Sequence, residues 1–520
     1  MALTSVQAFK GPLVAAIDQG TQSTRLLVFD LHSLSVVASS QSSITQHVLQ
    51  PGWCEHDPVE LFSSVAACMK DVAEAMSVVQ VQRIRCVGIT NQRETTVAWD
   101  KITGLPLCKA IVWHDTRTAS FVSELKERGY ESLIRSLTGL PVSTYFSGLK
   151  MRWMLENDPE VRKAADEHRL AFGTVDSWLV YKLTGKHVTD TSNASRTMLM
   201  NIHHCNWDEQ LLKLFDVPLK SLPEIIPSCF HMETVRISLE NCAFSSIPIS
   251  GILGDQQAAA LGQNCLLPGV IKNTYGTGCF MMSHIGRTLP LMNHDDPLIA
   301  TVHFSVGKKE NVYFALEGAV ASAGSSVSWL VDNIKLIGSP AESEVVASSV
   351  PDCGDVYFVP ALSGLFAPYW KPDARGCWVG LSQYTTRSHL VRSVLEGVAL
   401  QCAAIIHCIQ CKCGQDGKSQ TMVLKADGGM TTNSLLMQMQ ADFSGVEVEC
   451  AKMAEATALG VALASALGFG LFDSIEQISD VLTAASNEIR RFSPRTNAEE
   501  RTYKLSRWEA AVHRSFDWKS

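Results

Sequence analysis

The sequence predicts an α/β protein in which two similar lobes flank a cleft. Apolar runs typical of buried strands alternate with segments whose apolar side chains recur every three or four positions, as they do in helices. Each half of the chain also opens on two apolar runs joined by a polar turn rich in glycine and threonine, at residues 15–30 and 271–283. This likeness favours a duplicated architecture.

Individual elements follow from the same patterns. Three short apolar runs, at residues 13–17, 25–29 and 84–90, are expected to form buried strands. Apolar residues at helical spacing predict helices over residues 58–75 and 387–408. Their order along the chain predicts sheets covered by helices.

Length and composition limit the class of protein. The 520 residues suffice for two large domains, with a boundary expected near residues 262–270, where Gly262 and Pro268 interrupt the pattern. Apolar residues make up 46% and charged residues 18%, which excludes a disordered, collagen-like or coiled-coil chain. The net charge of −8 argues against nucleic acid or an anionic membrane as partner, but allows a local pocket for a small phosphate.

Cysteine usage and apolar segments predict a cytoplasmic protein. The 16 cysteines are scattered, residues 1–13 lack the pattern of a secretory signal, and the chain ends without an apolar tail. We therefore expect no direct membrane anchor. Residues 456–472 are too short and too rich in Ala and Gly for a membrane span, which favours a buried helix. Cys408, Cys411 and Cys413 could bind zinc, but without a second CxxC pair a structural role at a helix end is favoured.

Two polar turns are candidates for binding a phosphate chain. Residues 18–25 and residues 274–278 each present glycine, hydroxyl groups and backbone N–H groups between two strands, an arrangement that can wrap phosphates. Asp18 could hold Mg²⁺, usually through water. The alternative is a pair of ordinary glycine hairpins, and the correspondence of the two turns favours the functional interpretation.

Three further polar groups follow apolar runs. Asp255 comes after the run at residues 247–253 and could accept a proton during phosphoryl transfer, or simply cap a helix. Arg93 and Glu94 supply donors and acceptors suited to vicinal hydroxyl groups, or form a surface ion pair. The glycine turn at residues 427–433 allows close backbone approach to a flat or anionic ligand, or is plain helix entry.

Together these motifs resemble the FGGY family of carbohydrate kinases, and within it the enzymes that phosphorylate glycerol. The resemblance covers about residues 12–516. It rests on long motifs in the right order: GWCEHDP at 52–58, ITNQRETT at 89–96, YFSGLKMRWMLEN at 145–157, GTVD at 173–176, NASRTM at 193–198, IPISGILGDQQ at 247–257 and NTYGTGCF at 273–280.

The resemblance implies a fold and an activity. The fold is two actin/hexokinase-like (ribonuclease H-like) domains around a central cleft, here residues 12–264 with the polyol site and the first phosphate turn, and residues 265–516 with the nucleotide site. The activity is transfer of the γ-phosphate of ATP to a terminal hydroxyl of glycerol, giving sn-glycerol 3-phosphate with Mg²⁺ as cofactor. Kinases of this kind commonly form homodimers or homotetramers, and neither nucleic acid nor membrane is an implied partner.

The resemblance also assigns roles to positions of this sequence. Asp255 matches the catalytic base, and Asp18 falls on the metal position. The implied polyol site comprises Arg93, Glu94, Trp113, Tyr145, Asp255, Gln256 and Phe280. The implied nucleotide site comprises Thr21, Gln22, Ser23, Arg25, Thr277, Gly324, Ser328, Gly429, Met430, Asn433 and Ser434. Of these, Gln22, Ser328, Met430 and Ser434 depart from the usual residues of the family, which bears on nucleotide affinity more than on chemistry.

Two alternatives stay open at this point. The chain could phosphorylate another polyol or sugar, although Arg93, Glu94, Trp113 and Phe280 resemble a pocket for a small substrate. It could also be a nucleotide-binding scaffold without catalysis, which the departures on the nucleotide side favour and the intact Asp18 and Asp255 oppose.

Overall fold

A computed structural model describes residues 11–233, 235–413, 422–451, 455–485 and 489–518. The first ten residues and the last two, on which the expectations about a signal and an apolar tail depend in part, lie outside the described residues. Five of the elements anticipated from the sequence are confirmed within about two residues of their predicted starts.

The described residues of the first half of the chain form thirteen strands and ten helices. The strands are β1 (Leu13–Gln19), β2 (Ser23–Asp30), β3 (Val36–Ser43), β4 (Glu55–His56), β5 (Ile84–Asn91), β6 (Thr96–Asp100), β7 (Ala110–Ile111), β8 (Leu170–Thr174), β9 (Val188–Asp190), β10 (Met200–Asn201), β11 (Asn206–Trp207), β12 (Glu224–Ile226) and β13 (Ile249–Gly254). The helices are α1 (Pro58–Ala75), α2 (Val78–Val81), α3 (Ala119–Glu127), α4 (Glu131–Thr138), α5 (Ser147–Asn157), α6 (Pro159–Asp166), α7 (Val175–Thr184), α8 (Thr191–Ala194), α9 (Glu209–Leu214) and α10 (Asp255–Gly262).

The second half contains nine strands and seven helices among the described residues. The strands are β14 (Val270–Tyr275), β15 (Cys279–Gly286), β16 (Ile299–Ser305), β17 (Val312–Val320), β18 (Tyr357–Val359), β19 (Cys377–Val379), β20 (Val423–Asp427), β21 (Glu447–Ala451) and β22 (Ile489–Phe492). The helices are α11 (Gly324–Asp332), α12 (Glu342–Ser348), α13 (Arg387–Cys413), α14 (Ser434–Ser444), α15 (Ala456–Phe469), α16 (Ile475–Ala485) and α17 (Ala498–His513).

The five strands of the first main sheet and five of the seven strands of the second share one topology. In the first sheet the order is β13-β5-β1-β2-β3, with β1, β2 and β3 antiparallel and with β5 and β13 parallel to β1. In the second sheet, β17, β15 and β14 form the antiparallel part, and β20 and β21 run parallel to β14 and to each other. The α/β fold with a duplicated architecture is therefore confirmed.

Local signals explain why the elements begin and end where they do. Helix α1 begins at Pro58, which suits the first helical turn, and the side chain of Asp57 accepts a hydrogen bond from the backbone of Val59. Helix α14 is capped by Asn433 and ends at Gly445, whose φ of +70° is the left-handed conformation that glycine adopts readily. Along β1, alternate residues pack against α1 and α7 on one face and against α10 and α15 on the other.

Helix α15 belongs to the second half of the chain but packs on the first sheet. It crosses α10 so closely that a Cβ atom on Gly460 would lie 1.8 Å from the carbonyl oxygen of Ala258, and one on Gly262 would lie 1.9 Å from that of Ala456. A Cβ atom on Gly88 of β5 would lie 2.4 Å from the carbonyl oxygen of Val461 on the same helix. The Ala and Gly content of residues 456–472 thus serves close helix packing, and the expected buried helix is confirmed.

A longer apolar helix lies in the second half. Of the described helices, α13 alone has the length and composition to cross a membrane, and 78% of its most apolar window is buried inside the protein. It ends at Cys413, beside Cys408 and Cys411. No group of three or more His, Cys, Asp or Glu residues within the described part of the chain is arranged to hold a metal ion, so the zinc alternative gains no support.

The crossing of α10 and α15 leads to a prediction about stability. Gly460→Ala should lower the free energy of unfolding by about 2 kcal/mol or more, because the added methyl group meets a backbone oxygen that cannot move aside. Gly429→Ala is the control, since a Cβ there meets no atom within 4 Å. Denaturant unfolding of both variants measures the difference, and equal stabilities would contradict the packing argument.

Candidate active site

The candidate site lies where the N-terminal end of α10 meets the second sheet. Helix α10 directly follows β13, and its Ala260 packs on Met282 of β15 and Ala315 of β17. Because alternate residues of a strand share a face, Phe280 and Glu317 project from the second sheet towards the same helix. Lys272 lies opposite Met282 on β14 and belongs to this face as well.

Arg93 and Glu94 are buried, so the alternative of a surface ion pair is wrong. Their exposed fractions are 3% and 1%. The Arg93 guanidinium donates to both carboxylate oxygens of Glu317, over 2.5 and 3.3 Å, and its Nε lies 3.4 Å from Asp255 Oδ1. Glu94 has a φ of +62°, a conformation that costs a non-glycine residue energy and often marks a functional site. Its Oε1 accepts a hydrogen bond from Arg196 Nε at 2.6 Å.

Asp255 is the first residue of α10 rather than its cap, so the capping alternative is also wrong. The N-cap position is occupied by Gly254. The Asp255 side chain is 32% exposed and accepts a hydrogen bond from the backbone N–H of Gln256 at 2.8 Å. Burial of the carboxyl raises its pKa, although Arg93 and Lys272 oppose that effect. A carboxylate with a raised pKa is a stronger proton acceptor.

Lys272 orients the amide of Gln256. Its Nζ donates to Gln256 Oε1 over 2.6 Å, and the residue is fully buried. Burial lowers the pKa of Lys272, while Asp427 and Asp255 act in the opposite direction. With its oxygen held by Lys272, the Gln256 amide has its NH₂ group available as a donor to a ligand.

Three aromatic rings stand close together beside these polar groups. The Trp113 ring lies 5.5 Å from the Tyr145 ring and 6.4 Å from the Phe280 ring, each in an edge contact. Trp113 also donates from Nε1 to the Thr21 hydroxyl at 3.0 Å. This hydrogen bond ties the aromatic wall to the first polar turn.

The first polar turn connects β1 to β2 and carries Asp18 and Arg25 on its flanks. Arg25 forms ion pairs with Asp18 at 3.3 Å and with Glu455, just before α15, at 2.8 Å. Burial raises the pKa of Asp18 to about 6, with Arg25 opposing this shift and Asp255 adding to it. Thr21, Gln22 and Ser23 form the turn itself, closed by a hydrogen bond from the Gly20 N–H to the Ser23 carbonyl at 2.9 Å.

The second polar turn, between β14 and β15, packs against the start of α11. The Thr277 carbonyl accepts hydrogen bonds from the backbones of Ala323 and Ser325, and the Gly276 carbonyl accepts one from Gly324. A Cβ atom on Gly324 would lie 2.5 Å from that Gly276 oxygen and 3.5 Å from the Met430 sulfur. Thr277, Gly324 and Met430 are thereby brought together.

The other predicted nucleotide residues lie around this turn. Gly429 and Met430 form a short 3₁₀ helix, and Asn433 caps α14. The Ser434 N–H donates to Glu344 at 3.0 Å, and its hydroxyl is 3.4 Å from Arg490 Nη1. Ser328 is exposed on α11.

Four charged residues of the site had no role assigned from the sequence. Arg196 belongs to the NASRTM motif, and Lys272, Glu317 and Glu455 stand in or beside apolar segments. A lone charge inside an apolar strand, such as Glu317 in VYFALEGAV, is a usable signal because an unpaired buried charge is very costly. The partner of such a charge lies far away in sequence, which pattern reading does not reveal.

Family models match both halves of the chain. The N-terminal domain of the FGGY family of carbohydrate kinases matches residues 13–262, and the C-terminal domain matches residues 271–469. The chain belongs to the FGGY family of carbohydrate kinases. Membership in this kinase family fits the two polar turns and the carboxylates between them.

Individual FGGY proteins are similar over nearly the whole chain. Glycerol kinase 2 of Thermotoga maritima is 43% identical over 507 residues, covering 97% of this chain and 99% of its own. Glycerol kinase of Mycobacterium tuberculosis is 45% identical over 511 residues, covering 97% and 96%.

Solved structures show the same fold. The crystal structure of Plasmodium falciparum glycerol kinase with ADP superposes with a TM-score of 0.89 at 36% identity, covering 97% of this chain and 98% of that one. Gluconate kinase of Lactobacillus acidophilus, at 20% identity and a TM-score of 0.82, shares the fold. The two-domain FGGY architecture expected from the resemblance is confirmed.

The raised pKa of Asp18 predicts a pH-dependent stability. At pH 8 the native protein holds an ionised, buried carboxyl, so Asp18→Asn should unfold with a free energy about 1–3 kcal/mol higher than the wild type when metal is chelated and nucleotide is absent. As the pH falls from about 6 to about 4, the native carboxyl takes up its proton before the unfolded one does, and the advantage should vanish.

Denaturant unfolding at pH 8 and at pH 4 measures this difference. Asp480→Asn, at an exposed position on α16, is the control and should show no such change with pH. A difference between Asp18→Asn and wild type that stays constant across this range would show that the Asp18 carboxyl is not destabilised by burial.

Proposed function

We propose that this chain transfers the γ-phosphate of ATP to a terminal hydroxyl of glycerol. The observation that carries the proposal is the buried Arg93–Glu94 pair beside the partly exposed Asp255, closed in by the Trp113, Tyr145 and Phe280 rings. Such a pocket offers hydrogen bonds for a small polyol and an apolar wall for its carbon chain. The relatives named glycerol kinase support the same substrate.

The polyol hydroxyls find complementary partners in this pocket. The Arg93 guanidinium supplies donors, and the Glu94 carboxylate supplies acceptors. The Gln256 amide donates from its nitrogen, since its oxygen is held by Lys272. The carbon backbone would pack against Trp113 and Phe280.

Asp255 acts as the general base in this proposal. A polyol hydroxyl oxygen attacks the γ-phosphorus, the bond from phosphorus to the ADP oxygen breaks, and the hydroxyl proton passes to the Asp255 carboxylate. Burial raises the pKa of Asp255 and so strengthens it as a base, while Arg93 and Lys272 act in the opposite direction. The products are glycerol 3-phosphate and ADP.

The two polar turns hold the nucleotide in this proposal. Thr21, Gln22 and Ser23 form the first turn with Arg25 beside it, and Thr277 lies in the second turn, against which Gly324 packs. Donors from both turns would surround the phosphates, while Met430, Asn433 and Ser434 lie on the side where the base would bind. Ser328 and Gly429 complete the proposed nucleotide set, Ser328 from the exposed side of α11.

Asp18 is the proposed Mg²⁺ residue, and its surroundings fit a cation. Burial and the Asp255 charge raise its pKa to about 6 although Arg25 is nearby, so the carboxyl lacks a full counter-charge. When bound there, Mg²⁺ would neutralise charge on the ATP phosphates.

Both alternatives can be weighed against residues of this chain. A larger polyol would have to fit beside the Trp113 and Phe280 rings, whose centroids lie 6.4 Å apart. A silent scaffold would require the loss of catalysis. The departures at Gln22, Ser328, Met430 and Ser434 instead bear on nucleotide affinity, at about fivefold for each hydrogen bond lost.

We infer further that the domain boundary lies between residues 264 and 265, just after α10, with domains at 12–264 and 265–516. The reducing setting suggested by the cysteines fits action in the cytoplasm. Assembly into a homodimer or homotetramer is a prediction for light scattering of the purified chain.

A coupled assay of ADP release tests the proposed function. With MgATP we expect turnover on glycerol and little on larger polyols and sugars. Turnover on a larger polyol alone would replace the substrate. A folded protein that binds ATP but releases no ADP with any of the substrates tested would favour the scaffold.

Asp255→Asn tests the base. The variant should fold and bind glycerol, yet turn over about a hundredfold more slowly or worse, because an amide cannot accept the proton. Asp295→Asn, at an exposed loop position, serves as the control and should keep wild-type turnover. Near-wild-type turnover of Asp255→Asn would remove Asp255 from the mechanism.

A further inference from the structure

We propose that Glu317, from the second lobe, is a positioning residue that orients the polyol-binding Arg93 through a four-residue ion network with Arg196 and Glu94. This inference rests on the proposed function, since Arg93 is assigned to the polyol there. Glu317 itself needs no contact with substrate. Its role is to hold the guanidinium that does.

The contacts of Arg93 show where its orientation comes from. The guanidinium donates from Nη1 and Nη2 to the two oxygens of Glu317, at 2.5 and 3.3 Å. Its separations from Glu94 Oε1 and Asp255 Oδ1 are longer, at 3.9 and 3.4 Å from Nε. A paired carboxylate fork fixes the plane of a guanidinium, which a single contact does not. Glu317 therefore sets the plane of Arg93.

Arg196 closes the network on the other side. Its Nε donates to Glu94 Oε1 at 2.6 Å, and its Nη1 lies 3.2 Å from Glu317 Oε2. The four side chains form a ring in which each arginine contacts both glutamates. Both arginines have side-chain exposures of 2% or less, and the two glutamates of 10% or less.

Charge balance makes each member of the ring depend on the others. Two positive and two negative charges cancel in a space where an unpaired charge is very costly. Burial alone would raise the pKa of Glu317, but Arg196 and Arg93 outweigh it and hold the pKa below its usual range. Glu317 is thus ionised at neutral pH. Without its charge, Arg196 and Arg93 would share Glu94, and Arg93 would keep only its longer contacts with Glu94 and Asp255.

The network joins the two lobes. Arg93 and Glu94 follow β5 of the first sheet, whereas Glu317 lies on β17 of the second. Its neighbour Ala315 packs on α10, and this contact places the Glu317 carboxylate beside the N-terminal end of that helix. The polyol site is therefore complete only when the second sheet is in place.

Glu317→Gln is the primary test, because the amide keeps the shape and removes the charge. We expect the KM for glycerol to rise about tenfold or more and the KM for ATP to stay within about twofold. Calorimetric titration with glycerol alone should show the same loss of affinity.

Glu396→Gln is the matched control for loss of a buried glutamate. Glu396 is 3% exposed and accepts hydrogen bonds from Arg392 at 2.9 Å and Lys504 at 3.0 Å, between α13 and α17. Its replacement removes an equivalent bridge outside the polyol pocket and should leave the KM for glycerol unchanged. Equal glycerol KM values for the Glu317 and Glu396 variants would overturn the proposal.

Rescue by charge separates positioning from a merely structural role. The double variant Arg196→Gln/Glu317→Gln restores neutrality with Arg93 and Glu94 as the remaining pair, so its glycerol KM should be at least about threefold lower than that of Glu317→Gln. A double variant as impaired as Glu317→Gln, or more so, would contradict the network. If Glu317→Gln does not fold, the double variant is compared with Glu396→Gln instead. A higher glycerol KM for the double variant than for Glu396→Gln supports the positioning role, and equal KM values overturn it.

Failure of the substrate assignment has a different signature. The wild-type chain is assayed first on the polyol panel, and if another polyol is turned over, its KM and affinity replace those of glycerol in each comparison. The network would then still be tested by the difference between the Glu317 and Glu396 variants.

Discussion

Helix α10 is the element on which both lobes depend. It continues directly from β13 of the first sheet, its Ala258 and Leu261 pack beneath that sheet, and its Ala260 packs on the second. Its crossing with α15 at Gly262 and Gly460 leaves no room for side chains, so the second half of the chain is locked against the first. The same helix begins at Asp255, which places the proposed base at the junction of the two sheets. Packing and chemistry are therefore set by one element.

The charged side chains at this junction form one group whose charges cancel and a second group whose charges do not. Arg93, Arg196, Glu94 and Glu317 cancel among themselves, while Asp255 lies between that group and Lys272. Towards the first polar turn, Asp18 shares Arg25 with Glu455 and keeps a raised pKa. Asp18 and Glu455 carry two negative charges and Arg25 carries one positive charge. The group therefore has a net negative charge, at the place where a cation and the phosphates would bind. The charges on the proposed polyol side cancel before ligand binds, and those on the proposed nucleotide side do not.

The main strands, helices and polar turns could be predicted from the sequence because their signals are local. The buried strand β1, the capped helix α1 and both polar turns each carry their signal within about twenty residues. The sequence also indicated Arg93 and Asp255 as candidate site residues, each with an ordinary alternative. Burial of Arg93 and the position of Gly254 as helix cap exclude those alternatives. Glu317 and Arg196 were not assigned because their roles arise from contacts over 102 to 224 positions along the chain, as with Arg196–Glu94 and Arg93–Glu317.

The hydrogen bond from Trp113 to Thr21 connects the two proposed substrate sites. Trp113 belongs to the proposed apolar wall of the polyol pocket, while Thr21 belongs to the turn proposed to hold phosphate. A shift of the first turn on nucleotide binding would move the Thr21 acceptor and with it the indole. On the opposite side, Phe280 follows the second turn on β15 and faces the same indole. The first turn is thus hydrogen-bonded to the Trp113 ring, and the second turn is followed directly by Phe280. If nucleotide binding orders the two turns, it would also order the aromatic surface against which the polyol is proposed to pack.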